Sequence, residues 1–205
     1  VSILIGERAN LIRTLIMVSI FILFLNNAKI KKKLILIISV FILFFVVIFN
    51  HQGYKVRFLG QFISPLLKDP VSYISSSGYW DHYVVGIDIF KNNKVFGVGL
   101  KNYRVYIENK NYKNPSIHPH QSHIEILSEL GLIGYFSLLL FFIFNISRSI
   151  KSLILSENLL QLSGLLFVLT YFLPLLPTGS FFTSHAAAIF WMNYSFILIL
   201  KKKST

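Results

Sequence analysis

Cysteine is absent from the 205-residue sequence and acid is scarce: 8 Asp+Glu stand against 20 Lys+Arg, and only 14% of residues are charged. The first absence excludes disulfide scaffolds, CxxC redox chemistry and cysteine-ligated zinc, and it leaves the redox compartment unread. The shortage of charge says more. A soluble domain carries charge at about a quarter of its residues. With 54% hydrophobic residues and a mean hydropathy of +0.64, the apolar surplus must face something other than water. A formal net charge of +12 would ordinarily suggest nucleic acid, so its placement along the chain decides its meaning. Also missing are an HExxH zinc motif and any third glycine or βαβ unit after Gly97-x-Gly99, so the dinucleotide fingerprint is not present.

Five apolar runs read as membrane helices, at 9–25, 34–49, 132–146, 159–176 and 186–200. Each lies near the lower end of the roughly 17–25 residues that cross a hydrocarbon core of about 30 Å. The third continues a helix expected to start at Ser122, whose amphipathic beginning sits at or above the membrane surface. The connector 26–33 carries Lys29, Lys31, Lys32 and Lys33, 147–158 carries Arg148 and Lys151, and the tail carries Lys201, Lys202 and Lys203, whereas 174–184 has no Lys or Arg. Short connectors rich in Lys and Arg stay cytoplasmic, which puts 51–121 and the N-terminus outside. The expected fold is an all-α polytopic membrane protein: two spans in 1–50, a large and partly helical outer loop at 51–121, and three spans with a basic tail in 122–205. An odd number of spans and a first residue Val1 rather than Met lead to the expectation that this is the C-terminal part of a longer protein.

An outer segment of this length is expected to be functional rather than a plain connector. It carries nine basic and four acidic side chains, a formal +5, which does not disturb the orientation because long loops cross largely regardless of charge. Residues 54–70 can lie on the bilayer surface, with Pro65 and Pro70 limiting helix length. Residues 79–93 read as a helix with Tyr79, Tyr83, Ile87 and Phe90 on one apolar stripe, ended by Asn92-Asn93. Gly97 and Gly99 then allow either a simple turn or a close backbone approach. At the next junction, Ser122 and Glu125 match the S-x-x-E capping box, and Pro119 holds the approach extended. That leaves His120 and Gln121 at a helix N-terminus, a place favourable for phosphate. His118, His120, His123 and Glu125 remain open to two readings, interfacial polar groups or a metal set.

These residues also resemble a family. His120-Gln121, nine residues, then Gly131-x-x-Gly134 is similar to the H-[NSQ]-x9-G-x-x-[GTY] signature of O-antigen ligases and the related O-antigen polymerases. IFKNNKVFGVGLKNYR, Gly6-Glu7-Arg8 and Pro177-Thr-Gly-Ser-Phe-Phe resemble, in order, a segment of their large periplasmic loop, an arginine-bearing motif and their last outer turn. Where ligases carry R-x3-L, Arg8 is followed by Ile12 and Arg13 by Met17. The resemblance implies a GT-C-like glycosyltransferase of the bacterial inner membrane, needing neither metal nor cofactor. It would move a glycan from undecaprenyl diphosphate to a hydroxyl on the lipid A core or on another lipid-linked repeat unit, with the lipid bilayer and no nucleic acid as its surroundings. On that basis His120 is the candidate base, since an imidazole with pKa near 6.5 accepts a proton at neutral pH. Arg8 is the candidate diphosphate clamp and Arg104 a second one. Arg13, within the first run, is either functional or snorkels to the surface. Gln121 and His123 are expected beside the substrate, while His82 and Lys113 are not expected to contribute. A transporter or flippase fragment and a non-catalytic binder of anionic envelope polymer are the competing classes.

Overall fold

The computed structural model describes residues 8–24, 29–110, 112, 116–156, 158–174 and 176–198, with the side chains of 151–156 left aside. Gly6, Glu7, Lys113, the Lys151 side chain and the three tail lysines therefore lie outside the described residues. Those described are helical or irregular, with no strand among them. Two helices are long and apolar enough to cross a membrane, Ile30–Asn50 and Ser122–Ile150, and Leu159–Tyr171 is a shorter apolar helix. The chain divides into two compact units, Val1–Ser77 and Gly78–Thr205.

In the first unit, α1 (Arg8–Phe24) and α2 (Ile30–Asn50) correspond to the first two expected spans. They meet in a small core of Leu11, Phe44, Ile48 and Phe58. The rest of α2 stays uncovered: Ile35, Leu43 and Phe49 are 62%, 65% and 55% exposed. Apolar exposure on that scale is untenable in water and ordinary against lipid or further helices. Lys31, Lys32 and Lys33 occupy the first turn of α2, where the helix dipole disfavours cations. Lys33 escapes part of that cost by reaching back to the C-terminus of α1, donating from Nζ to the Leu23 carbonyl at 2.7 Å.

His51, with extended φ/ψ, ends α2. A short turn (Gln52–Tyr54), a wide π-helical stretch (Lys55–Ile63) and two brief helices (Ser64–Lys68 and Pro70–Ser75) follow. The expectation that Pro65 and Pro70 limit helix length is met. Asp69 leaves helical geometry and caps the next piece by accepting from Ser72 N at 3.0 Å, with Pro70 at the first helical position.

The second unit contains α3 (Gly78–Asn92), α4 (Tyr103–Glu108), α5 (Ser122–Ser156), α6 (Leu159–Tyr171) and α7 (Ser184–Ile197). The expected connector 147–158 is helical up to Ser156, because nothing in that sequence breaks a helix. Phe142 of α5, Phe172 after α6, Phe181 of the following turn and Phe190 of α7 share one aromatic cluster, with ring centroids 5.0–5.6 Å apart in the Phe142–Phe172, Phe142–Phe190, Phe172–Phe190 and Phe181–Phe190 pairs.

The periodicity misjudged α3. Asn92 does end it, and the Asn93 amide donates to the Ile89 carbonyl at 3.0 Å. Of the expected stripe Tyr83 is buried, but Tyr79 and Ile87 are 41% and 38% exposed, and Val85, Gly86 and Ile89 are buried in their place. The decisive residue is Gly86. A Cβ there would lie 2.4 Å from the Ile124 Cγ2 and 3.1 Å from the Pro119 Cβ. The helix thus approaches the α5 entrance through its smallest side chain, which a count of apolar residues ignores.

Between α3 and α4 the chain crosses α5 at Gly131, where φ 65° and ψ −167° break the helix. Residues 94–99 supply the bonds that the break leaves open. Val98 N and Gly99 N donate to the Ser128 and Glu129 carbonyls at 3.0 and 2.8 Å, while Leu132 N and Ile133 N donate to the Lys94 and Val95 carbonyls at 2.8 and 3.2 Å. Of the two readings of Gly97-x-Gly99, close backbone approach is the one realised.

Candidate functional site

Pro119 delivers the chain to the start of α5, and the next residue turns sharply. His120 adopts φ 53°, a left-handed conformation uncommon for a residue with a side chain and frequent at functional positions. The turn is held from outside, since Thr178 N donates to the His120 carbonyl at 2.7 Å. The expected capping box does not form. Gln121 is the cap instead: its Oε1 accepts from Ile124 N at 2.9 Å and its carbonyl from Glu125 N at 2.9 Å. This gives a physical meaning to Asn, Ser or Gln after the signature histidine, because each offers a side-chain oxygen to a helix entrance.

Glu125 is free for other partners because the box is unformed. Its carboxylate accepts from the Ser180 hydroxyl and from Phe181 N, the latter at 2.6 Å. Glu125 and Glu129 are 1% and 3% exposed, and Glu129 accepts from Lys101 N at 2.6 Å. Glu125 therefore ties the first turn of α5 to the 178–181 turn, the same turn that holds His120 from behind.

Around His120 lie three further rings. His118 is 4.0 Å away, His82 of α3 is 5.2 Å away, and Tyr79 of α3 meets it edge-on at 5.5 Å, all between centroids. Tyr79, His82 and Gly86 recur at helical spacing on one face, so the close contact at Gly86 is what brings the two α3 rings to the cluster. Ser116 Oγ lies 3.0 Å from His120 Nε2. Burial first, then the neighbouring His118 and His82, push the His120 pKa down from 6.5 to about 4. Burial and His82 also lower that of His118. His120 is therefore neutral at pH 7. Since the folded state resists a proton that the unfolded chain takes up near 6.5, stability is complete above that value and is lost as pH falls toward about 4. The thermal midpoint of the purified protein should decline across this window, and His120→Asn should flatten the decline.

His123 belongs to a different place. Its Nε2 is 2.8 Å from the Phe172 carbonyl, which can only accept, so this nitrogen carries the proton and Nδ1 accepts from Tyr135 OH at 3.0 Å. With Tyr135 it lines a cavity of about 240 Å³ whose other walls, including Leu139, Phe142 and Phe172, are apolar. His120, His123 and Glu125 thus bond to three separate sets of partners, while His118 packs its ring against that of His120. Among the described residues no group of three or more His, Cys, Asp or Glu is arranged to hold a metal ion.

The arginines divide as well. Arg8, in the first unit, donates from Nη1 to the Gln61 carbonyl at 3.1 Å and to Tyr73 OH at 2.9 Å, joining the start of α1 to two of the short helical segments after α2. Arg13 Nη1 donates to Asn10 Oδ1 at 3.2 Å. Arg104 is exposed on α4.

A family model described as O-antigen ligase matches residues 2–139. The chain belongs to the O-antigen ligase family. No curated protein and no solved structure matches it. Membership makes it a membrane protein with a glycosyltransferase-type role in polysaccharide assembly. The matched region runs through α3, the histidine cluster and the Gly131 break. Within the O-antigen ligase signature the marked residues serve the structure in different ways. His120 turns the backbone, Gln121 caps α5, and Gly131 admits the crossing strand of chain. At Gly134 a Cβ would lie 2.3 Å from the Leu130 Cβ. Sequence reasoning missed His82 and Thr178, which no local motif marks. The signals that could have found them are the small residue at 86, inside an otherwise bulky helix, and the resemblance of 177–182 to a family turn.

Proposed function

We propose that this O-antigen ligase family protein transfers a glycan from undecaprenyl diphosphate to an acceptor hydroxyl, on the lipid A core or on another lipid-linked repeat unit, at the outer face of the bacterial inner membrane. The proposed topology has five spans, at 9–25, 34–49, 132–146, 159–176 and 186–200, with basic connectors in the cytoplasm and 51–121 in the periplasm. The uncovered apolar face of α2 and the lysine-rich connector before it support this reading.

One observation carries the chemistry: His120 sits in a left-handed turn at the entrance of α5, among His118, His82 and Tyr79, where burial and the two histidines hold its pKa down. In the proposed step the acceptor oxygen attacks the anomeric carbon and the bond from that carbon to the diphosphate oxygen breaks. Its electron pair leaves with the diphosphate, and the hydroxyl proton passes to His120. A base of low pKa suits a late transfer, after the attacking oxygen has become acidic. Arg8 meets the departing diphosphate, since a guanidinium matches phosphate oxygens and stays charged. Arg104 and Arg13 are secondary cationic candidates. Gln121 contributes by holding the α5 entrance, and His123 by closing the polar side of the apolar cavity, which suits an isoprenoid chain.

A strain lacking the gene tests this. Its surface polysaccharide should lose polymer, and the glycan left behind identifies the acceptor. A bare core marks transfer to the core, whereas a single repeat still attached marks polymerisation. A wild-type polysaccharide profile in the deletion strain would overturn the proposal.

A further inference from the structure

Five polar side-chain atoms in the surroundings of His120 are buried without a hydrogen-bond partner: Nδ1 of His82, both ring nitrogens of His118, Oγ of Ser122 and Oγ1 of Thr178. Ser122 and Thr178 are 0% and 5% exposed. These atoms belong to one neighbourhood. The His82 and His118 rings lie against His120, Ser122 follows it by two residues, and Thr178 N donates to its carbonyl. Buried polar groups in folded proteins are almost always paired, so a concentration of unpaired ones marks a place where something polar binds.

Their chemistry narrows what that is. A neutral imidazole has one donor and one acceptor nitrogen, and a hydroxyl both donates and accepts. The set contains no ammonium, guanidinium or carboxylate. A diphosphate, which only accepts and carries charge, would find no counter-charge among these atoms and would leave their acceptors unused. Sugar hydroxyls, which donate and accept as these groups do, match them. Tyr79, 41% exposed and edge-on to His120, offers an aromatic face for the C–H side of a pyranose ring.

We propose that His82, His118, Ser122 and Thr178 form a subsite for the hydroxyl groups of the acceptor sugar, with Tyr79 against the ring, and that the diphosphate is bound by other residues. The assignment rests on the reading of His120 as the group that receives the acceptor's proton. His82 thereby becomes an acceptor-positioning residue, contrary to the expectation from sequence that it stands apart.

The test uses the chain in lipid nanodiscs with nitrogen-15-labelled histidine. Methyl glucoside, methyl galactoside and methyl mannoside are titrated at millimolar concentration, with pyrophosphate titrated separately. At least one glycoside should shift the ring-nitrogen signals of His82, His118 and His120, and pyrophosphate should leave them in place. His82→Ala and, independently, Thr178→Val should each weaken glycoside binding about tenfold, the worth of one hydrogen bond. The thermal midpoint should be preserved. In a transfer assay, His82→Ala should raise the acceptor KM by a similar factor and leave the donor KM unchanged. Silence toward all three glycosides, protonation of the cluster by pyrophosphate, or a rise in donor KM alone would overturn the subsite. Undiminished transfer by His120→Asn with glycoside binding intact would instead remove the catalytic reading and leave the subsite standing.

Discussion

His120→Ala in the chromosomal gene should remove long-chain surface glycan while the protein remains in the membrane at its normal level. A positioned proton acceptor contributes about 10²–10⁴-fold to a transfer step, so its removal leaves at most about a hundredth of the transfers, whether each adds one repeat or one finished polymer. A loss at the lower end of that range is therefore enough to erase the ladder. Alanine at φ 53° is also less comfortable than histidine, so structural damage must be separated from chemistry. His120→Asn does this, because asparagine tolerates the left-handed region. It should give the same empty ladder with an undiminished thermal midpoint. Arg8→Ala should act comparably through the leaving group. Arg8→Lys, which retains charge but loses the planar fork that reaches both Gln61 and Tyr73, should recover only part of the product. Normal glycan from both His120 variants would dismiss this residue from the reaction.

How far the sequence could carry such expectations is clearest in α3 and at the α5 entrance. Helices built from long apolar runs were legible, because a run of that length has few alternatives: 34–49 became Ile30–Asn50 and 186–200 became Ser184–Ile197. The face that α3 buries was not legible, because it is chosen by the absence of a side chain at Gly86 rather than by the presence of apolar ones. The helix start at Ser122 was found and its cap was not. Ser and Glu at box spacing are a local signal, yet Glu125 has nonlocal partners in Ser180 and Phe181 that no local rule contains. The same holds for His82, whose neighbours His118 and His120 are distant in sequence. His120 and Arg8, by contrast, stood inside recognisable family motifs. What was unreadable throughout is the pairing of segments far apart in the chain, which depends on close backbone approach.

Gly131→Ala should be the most damaging single change to the fold of the second unit. A Cβ at this position would lie 2.4 Å from the Val95 carbonyl oxygen and 2.6 Å from Gly97 N. Both are backbone atoms and cannot rotate aside as a side-chain tip would. With φ 65° and ψ −167° the position lies in a region that is essentially glycine's alone, which costs about 1–3 kcal/mol for any residue with a Cβ. Moving the crossing segment outward to relieve the clash would stretch the four backbone bonds between 94–99 and 128–133, each worth about 1 kcal/mol. The sum, on the order of 5 kcal/mol or more, is a large share of the 5–15 kcal/mol that holds a typical domain together. The reciprocal change, Gly97→Ala, should behave alike, since a Cβ there would lie 2.3 Å from the Glu129 carbonyl carbon. Gly60→Ala serves as the comparison, because that Cβ would have nothing within 4 Å. Size-exclusion recovery and thermal midpoint in detergent should fall sharply for the two crossing variants and stay at wild-type values for Gly60→Ala. A crossing variant with the wild-type midpoint would mean that the segment and the break in α5 do not support each other. In that case the position of His120, at the entrance of the same helix, would need another explanation.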